Sequence, residues 1–149
     1  MVATGGGTQD QTIRIWNLSS GTQHSVQNAQ SQVTGLLFNR HFKEMMVGNG
    51  NPNCGVRLWK YEPSTLARGE NSPSFEHVAD LKSAGGRVLG LCQSPCGEFV
   101  MSTCDDETMR LWHVWKQDAS CGMKFGAEGM KSTTGAARKR LELGGNVIR

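Results

Sequence analysis

The sequence predicts an all-β fold: a partial β-propeller with one complete four-stranded sheet, a partial sheet on each side, and a largely disordered tail. Three observations predict it. A motif ending in tryptophan recurs three times, nineteen glycines stand against four prolines in 149 residues, and short apolar runs alternate with turn residues over the first 115 positions. So many glycines in so short a chain call for tight turns or positive φ, as strand-rich architectures do.

The repeat carries the architecture. Asp10, Arg14 and Trp16 share their spacing with Asn53, Arg57 and Trp59 and with Asp106, Arg110 and Trp112. Ile13, Val56 and Met109 precede the arginines, so apolar and polar residues alternate as in a half-buried strand. The tryptophans lie 43 and 53 residues apart, bracketing the roughly 40–45 residues of a WD repeat. The propeller expected is therefore of the WD-repeat kind. In such a stack the indoles of Trp16, Trp59 and Trp112 fill the wedge between sheets, and Asp10 and Asp106 tie down the turns before their strands through side-chain-to-backbone hydrogen bonds. These five residues are read as structural.

Taken in order, the chain starts inside a strand at Met1, so its first unit is expected to lack an inner strand. Gly5-Gly6-Gly7-Thr8 reads as a strand-end turn; a phosphate loop would need Gly-Lys-Ser/Thr and a following helix. The Trp16 strand follows, and Gln23 to Asn28 form an outer strand. Val33 to Leu36 begin the second unit as its inner strand, Asn39 to Lys43 turn, and Met45 to Val47 are its buried second strand. After the Trp59 strand, Glu62 to Glu76 carries Pro63, Gly69, Asn71 and Pro73 and reads as the surface loop that lengthens the second spacing. Glu76 to Lys82 then form the outer strand. Val88 to Leu91, a turn over Ser94 to Gly97, Phe99 to Met101 and the Trp112 strand make the third unit. Residues 1–115 are thus the partial propeller and 116–149 a flexible basic tail.

Charge separates these two regions. Residues 1–115 hold nine Lys/Arg against ten Asp/Glu, and 116–149 hold seven against three. A folded nucleic-acid reader carries its positive charge on the folded body, so no nucleic-acid partner is expected; Arg138-Lys139-Arg140 reads as a solvated stretch of tail. No apolar run approaches the roughly 18 residues of a membrane span, and the N-terminus lacks a signal-peptide layout. An intracellular protein with no membrane partner is expected. Five irregularly spaced cysteines fit reduced thiols, with Cys92 and Cys104 inside predicted core strands as small buried residues. Neither a metal nor a cofactor is expected. With no Gly-x-Ser-x-Gly elbow and no His-Glu-x-x-His pair, the chain is not read as an enzyme.

The motif set is similar to that of the fizzy, or cell-division-cycle protein twenty, family of anaphase-promoting-complex co-activators. The stretches that carry the resemblance are Ala3 to Thr8 running on to Trp16-Asn17, Ser31-Gln32-Val33, Trp59-Lys60-Tyr61, Arg87-Val88-Leu89, Asp106-Glu107-Thr108 and Leu111-Trp112, with the terminal Ile148-Arg149. The resemblance implies a seven-bladed propeller that holds substrate degrons for a ubiquitin ligase in cell-cycle control, in nucleus and cytoplasm. It implies that Thr8, Gln32 and Arg87 bind a Lys-Glu-Asn degron, Arg87 pairing its carboxylate, and that Glu107 receives a destruction-box arginine. It further implies that Ile148 and Arg149 dock on a tetratricopeptide-repeat subunit of the ligase. Ser83-Ala84 stand where the family has Gly-His, and Pro95-Cys96-Gly97 where it has Pro-Asp-Gly. The alternative reading is a truncated or degenerate WD-repeat protein acting only as a structural interaction module.

Overall fold

A computed structural model describes residues 1–62, 74–81, 86–116 and 146–148. Among the described residues eleven strands fall into three antiparallel sheets. The first holds β1 (Val2–Gly5), β2 (Thr12–Trp16) and β3 (Gln23–Asn28). The second holds β4 (Val33–Asn39), β5 (Glu44–Asn49), β6 (Gly55–Glu62) and β7 (Ser74–Leu81), in that spatial order. The third holds β8 (Val88–Gln93), β9 (Phe99–Cys104), β10 (Met109–His113) and β11 (Asn146–Ile148).

Register shows that the sheets repeat one plan. The tryptophan strand pairs with the strand before it, matching Trp16 to Val2, Trp59 to Met45 and Trp112 to Val100. It follows that β1 occupies the second place of its sheet, as β5 and β9 do in theirs, and the first sheet has three strands where the others have four. The outer strand over Gln23 to Asn28 matches the sequence reading, whereas β7 begins at Ser74, two residues before the expected start. The third sheet, read as partial, gains its fourth strand from far along the chain: Asn146–Ile148 run antiparallel to β10, with Ile148 opposite Met109. Apart from that strand and Lys116, the tail read over 116–149 lies outside the described residues.

Burial follows from the stacking order. One apolar cluster (Ile13, Ile15, Met45, Val47, Trp59, Phe75) joins the first sheet to the second, and another (Met46, Val56, Leu58, Leu81, Val88, Val100, Trp112, Trp115) joins the second to the third. The middle sheet is covered on both faces, so β5 reads as a continuous apolar run, Met45-Met46-Val47, all buried. In the flanking sheets β2, β9 and β10 bury alternate residues. Met109 and Leu111 occupy the places that Val56 and Leu58 hold in the middle sheet, yet are 41% and 38% exposed, because their face meets no further sheet among the described residues.

Candidate functional site

In an antiparallel meander successive turns alternate ends. The turns after β1, β5 and β9 and the crossings from β3 to β4 and from β7 to β8 therefore share one rim, which carries Thr8, Gln32, Arg87 and Glu107. Backbone hydrogen bonds knit this rim across the sheets. Val33 N–H donates to the Gly6 carbonyl at 3.0 Å and Ala29 N–H to that of Gln11 at 2.8 Å. Gln32 exchanges bonds with the next turn, its N–H donating to the Asn51 carbonyl at 3.1 Å and its carbonyl accepting from Gly50 N–H at 2.8 Å. Arg87 is held the same way: its N–H donates to Asp105 Oδ1 at 2.7 Å, and its carbonyl accepts from Asp105 N–H at 2.9 Å.

Two of the four site residues pack their side chains over one glycine. Gln32 Oε1 and Arg87 Cγ and Nε all crowd the open side of Gly50, within 2.9 to 3.4 Å of where a Cβ would stand. Arg87 Nε is buried there and has no acceptor among the described residues. A buried guanidinium N–H without a partner is costly. The Thr8 and Glu107 side chains are exposed on the β1–β2 and β9–β10 turns, with the β5–β6 turn between them. The Thr8 carbonyl accepts from Gln11 Nε2 at 2.8 Å, and Glu107 holds φ of 62°, a left-handed backbone that turns it outward between Asp106 and Thr108. Ile148 lies in β11, with only its backbone described, and Arg149 lies outside the described residues.

The residues read as structural take matching positions in the three sheets. Trp16 Nε1 donates to Thr4 Oγ1 at 2.8 Å and Trp112 Nε1 to Ser102 Oγ at 2.9 Å. Each acceptor is the residue paired with the preceding arginine, Thr4 with Arg14 and Ser102 with Arg110. In the middle sheet that place belongs to Val47, opposite Arg57, and the buried Trp59 Nε1 has no acceptor among the described residues.

The acids before the strands vary too. Asp106 bonds the backbone as expected, its Oδ1 accepting from Thr108 N–H at 3.1 Å as well as Thr108 Oγ1 at 2.6 Å, whereas Asp10 departs from that expectation and accepts from the side chains of Thr12 at 2.8 Å and Arg14 at 2.7 Å. The hydroxyl of Thr108, aided by its N–H and by Arg110, holds the Asp106 carboxyl below its ordinary value. The middle sheet has Asn53 and Gly55 in place of the Asp and Thr. Arg57 there reaches across to Asp80 Oδ1 on β7 at 3.1 Å, and buried Ser31 bonds the Asn53 N–H at 3.0 Å.

Sequence reasoning missed Gly50, Asp105, Ser31 and Trp115. Trp115 lies outside the repeat; it is buried, donates to Glu44 Oε2 at 2.7 Å and stacks on Phe42. The expectation of buried cysteines needs correction. Cys104 is buried, but Cys92 and Cys96 are exposed, Cys92 because it points to the open face of β8. The Cys96 thiol, bonded to Ser94 Oγ at 3.1 Å, sits below its ordinary pKa chiefly through that bond. Among the described residues no three His, Cys, Asp or Glu gather as a metal site requires, and no helix is long and apolar enough to cross a membrane.

Comparison with known proteins follows this geometry. The WD domain, G-beta repeat family matches residues 75–113. The WD repeat-containing protein slp1 of Schizosaccharomyces pombe is 33% identical over 118 residues, covering 79% of this chain and 22% of that protein. Protein FIZZY-RELATED 3 of Arabidopsis thaliana is 35% identical over 115 residues, covering 77% of this chain and 22% of its own length. Cell division cycle 20.1, cofactor of APC complex, also of Arabidopsis thaliana, is 36% identical over 115 residues, 77% of this chain and 23% of that protein. A chain in the crystal structure of the mitotic checkpoint complex superposes with a TM-score of 0.66 at 31% identity, covering 76% of this chain and 33% of that one. The chain thus spans 22–23% of the length of these curated relatives.

Proposed function

We propose that the chain, similar as it is to WD-repeat relatives of the fizzy, or cell-division-cycle protein twenty, family, is a member of that family and a non-enzymatic, substrate-recruiting adaptor of the anaphase-promoting complex. Degron peptides bind on the rim, and the Ile148-Arg149 terminus engages a tetratricopeptide-repeat subunit of the ligase. The protein acts in cell-cycle control in nucleus and cytoplasm. The observation that carries the reading is that the Gln32 and Arg87 side chains both pack over Gly50 on the rim that also carries Thr8.

The chemistry suits an extended peptide with an acid beside an amide. Arg87 offers a charge-assisted hydrogen bond to the carboxylate, which is shorter and stronger than a neutral one. Gln32 supplies a carboxamide that can both donate and accept, and Thr8 a hydroxyl on the neighbouring turn. Glu107, exposed on the β9–β10 turn, is suited to a basic side chain of a second motif.

Titration of a Lys-Glu-Asn peptide against the full chain and Arg87→Ala tests the site. A charged hydrogen bond contributes about 1.5–3 kcal/mol, so the variant should bind about ten- to a hundredfold more weakly. Equal affinity removes the pocket. Capture by the repeat subunit, with and without residues 148–149, tests the terminus; capture that does not depend on them removes that assignment.

A second reading, a WD-repeat piece acting only as an interaction module, is favoured by the exposed Met109 and Leu111. It makes the wild-type chain silent toward the degron peptide.

A further inference from the structure

We propose that Gly50 is a specificity-determining residue of the rim: its lack of a side chain seats the Gln32 carboxamide and the Arg87 guanidinium together as one binding surface. This rests on the reading of Gln32 and Arg87 as peptide contacts.

Gly50 follows β5 and begins the β5–β6 turn, beside the Arg87 side chain that leads into the third sheet, and it is buried. A Cβ there would lie 2.9 Å from Gln32 Oε1 and 3.4 Å from both Cγ and Nε of Arg87. The first distance is closer than any real Cβ contact, and the other two are at the near edge of van der Waals contact. The backbone cannot retreat to relieve the crowding, because both polar groups of Gly50 are tied down. Its N–H donates to the Gln32 carbonyl at 2.8 Å, and its carbonyl accepts from the buried Ser31 Oγ at 2.6 Å.

A side chain at this position must therefore move the Gln32 carboxamide. That atom is the free end of a flexible side chain on the rim, so the movement costs the fold little. It costs the site much, since the amide leaves the place over Gly50 that it shares with the Arg87 side chain. Gly50 has no left-handed backbone angle, so its conformation suits an L-residue and the demand for glycine comes from the neighbouring side chains alone.

The separation of fold from binding makes the test direct. In the full chain, Gly50→Ala is expected to leave the thermal midpoint and far-ultraviolet spectrum unchanged while weakening the Lys-Glu-Asn peptide about three- to tenfold, the loss of one well-placed hydrogen bond. Because Gly50 acts through Gln32, the double variant Gly50→Ala/Gln32→Ala should bind no more weakly than Gln32→Ala alone. Wild-type binding with an undiminished Gly50→Ala, or losses that add in the double variant, overturns the role of Gly50. A wild-type chain that does not bind the peptide overturns instead the function on which it rests.

Discussion

At the scale of single residues, the three sheets form an internal comparison in which one position decides whether a buried indole is satisfied. Thr4 and Ser102 accept from Trp16 and Trp112, and Val47 stands in the matching place beside Trp59. A buried N–H without a partner costs on the order of 1–3 kcal/mol. Val47→Thr is close in volume and supplies the missing acceptor, so we expect a change in denaturant midpoint equivalent to less than about 1 kcal/mol, or a net gain. Val56→Thr, buried with no repeat-matched donor, should lose about 1–3 kcal/mol. Equal losses in the two variants would show that Trp59 Nε1 does not use the new hydroxyl.

Asp106 allows a signed prediction in pH. Its folded carboxyl titrates below its ordinary value because Thr108 bonds the ionised form. Protons therefore bind the unfolded chain more readily, and the stability it lends is fully present above the unfolded value of about 3.9 and is lost as pH falls through the lowered folded value. Urea midpoints followed from pH 6 downward should fall less for Asp106→Asn than for the wild type. A parallel fall would assign the acid sensitivity elsewhere.

Among elements, the second and third sheets are locked by a residue beyond the last predicted strand. Val114 and Trp115 both donate backbone N–H groups to the Glu98 carbonyl at 3.1 Å, which places the Trp115 indole against Phe42 and Glu44 of the middle sheet. Trp115→Ala removes a large buried ring and leaves a cavity, so we expect a loss of about 3–5 kcal/mol in chemical denaturation. A loss below 1 kcal/mol would mean that the sheets are held together elsewhere. The family match over 75–113 points to the same coupling, since that span takes β7 from one sheet and β8, β9 and β10 from the next. One sequence repeat thus straddles two sheets and ties each to its neighbour.

For the molecule as a whole, the stack has two faces that no further sheet covers among the described residues. One carries Trp16 and Arg14, and the other Met109 and Leu111. Exposed apolar sheet faces promote association. Leu111→Lys, on the open side of β10, should lower the weight-average mass in sedimentation without changing the circular dichroism spectrum. An unchanged mass would remove this face from self-association.

Much of the fold was legible because it is periodic. The Asp/Asn–Arg–Trp spacing located β2, β6 and β10, and short apolar runs located β5 and β9, although Phe99-Val100-Met101 buries only Val100 fully where Met45-Met46-Val47 is buried throughout. Thr8, Gln32, Arg87 and Glu107 were singled out by the family resemblance alone, and the meander, which sends alternate turns to the same end, sets them on one rim. Contacts between residues distant in sequence left no such periodic trace: the convergence of Gln32 and Arg87 over Gly50, the support of Arg87 by Asp105, the wedge of Trp115 and the pairing of β11 with β10. Periodicity records what each strand does against its own neighbours along the chain. Which side chains meet across two packed sheets depends on how those sheets are set against each other, and only tertiary structure decides that.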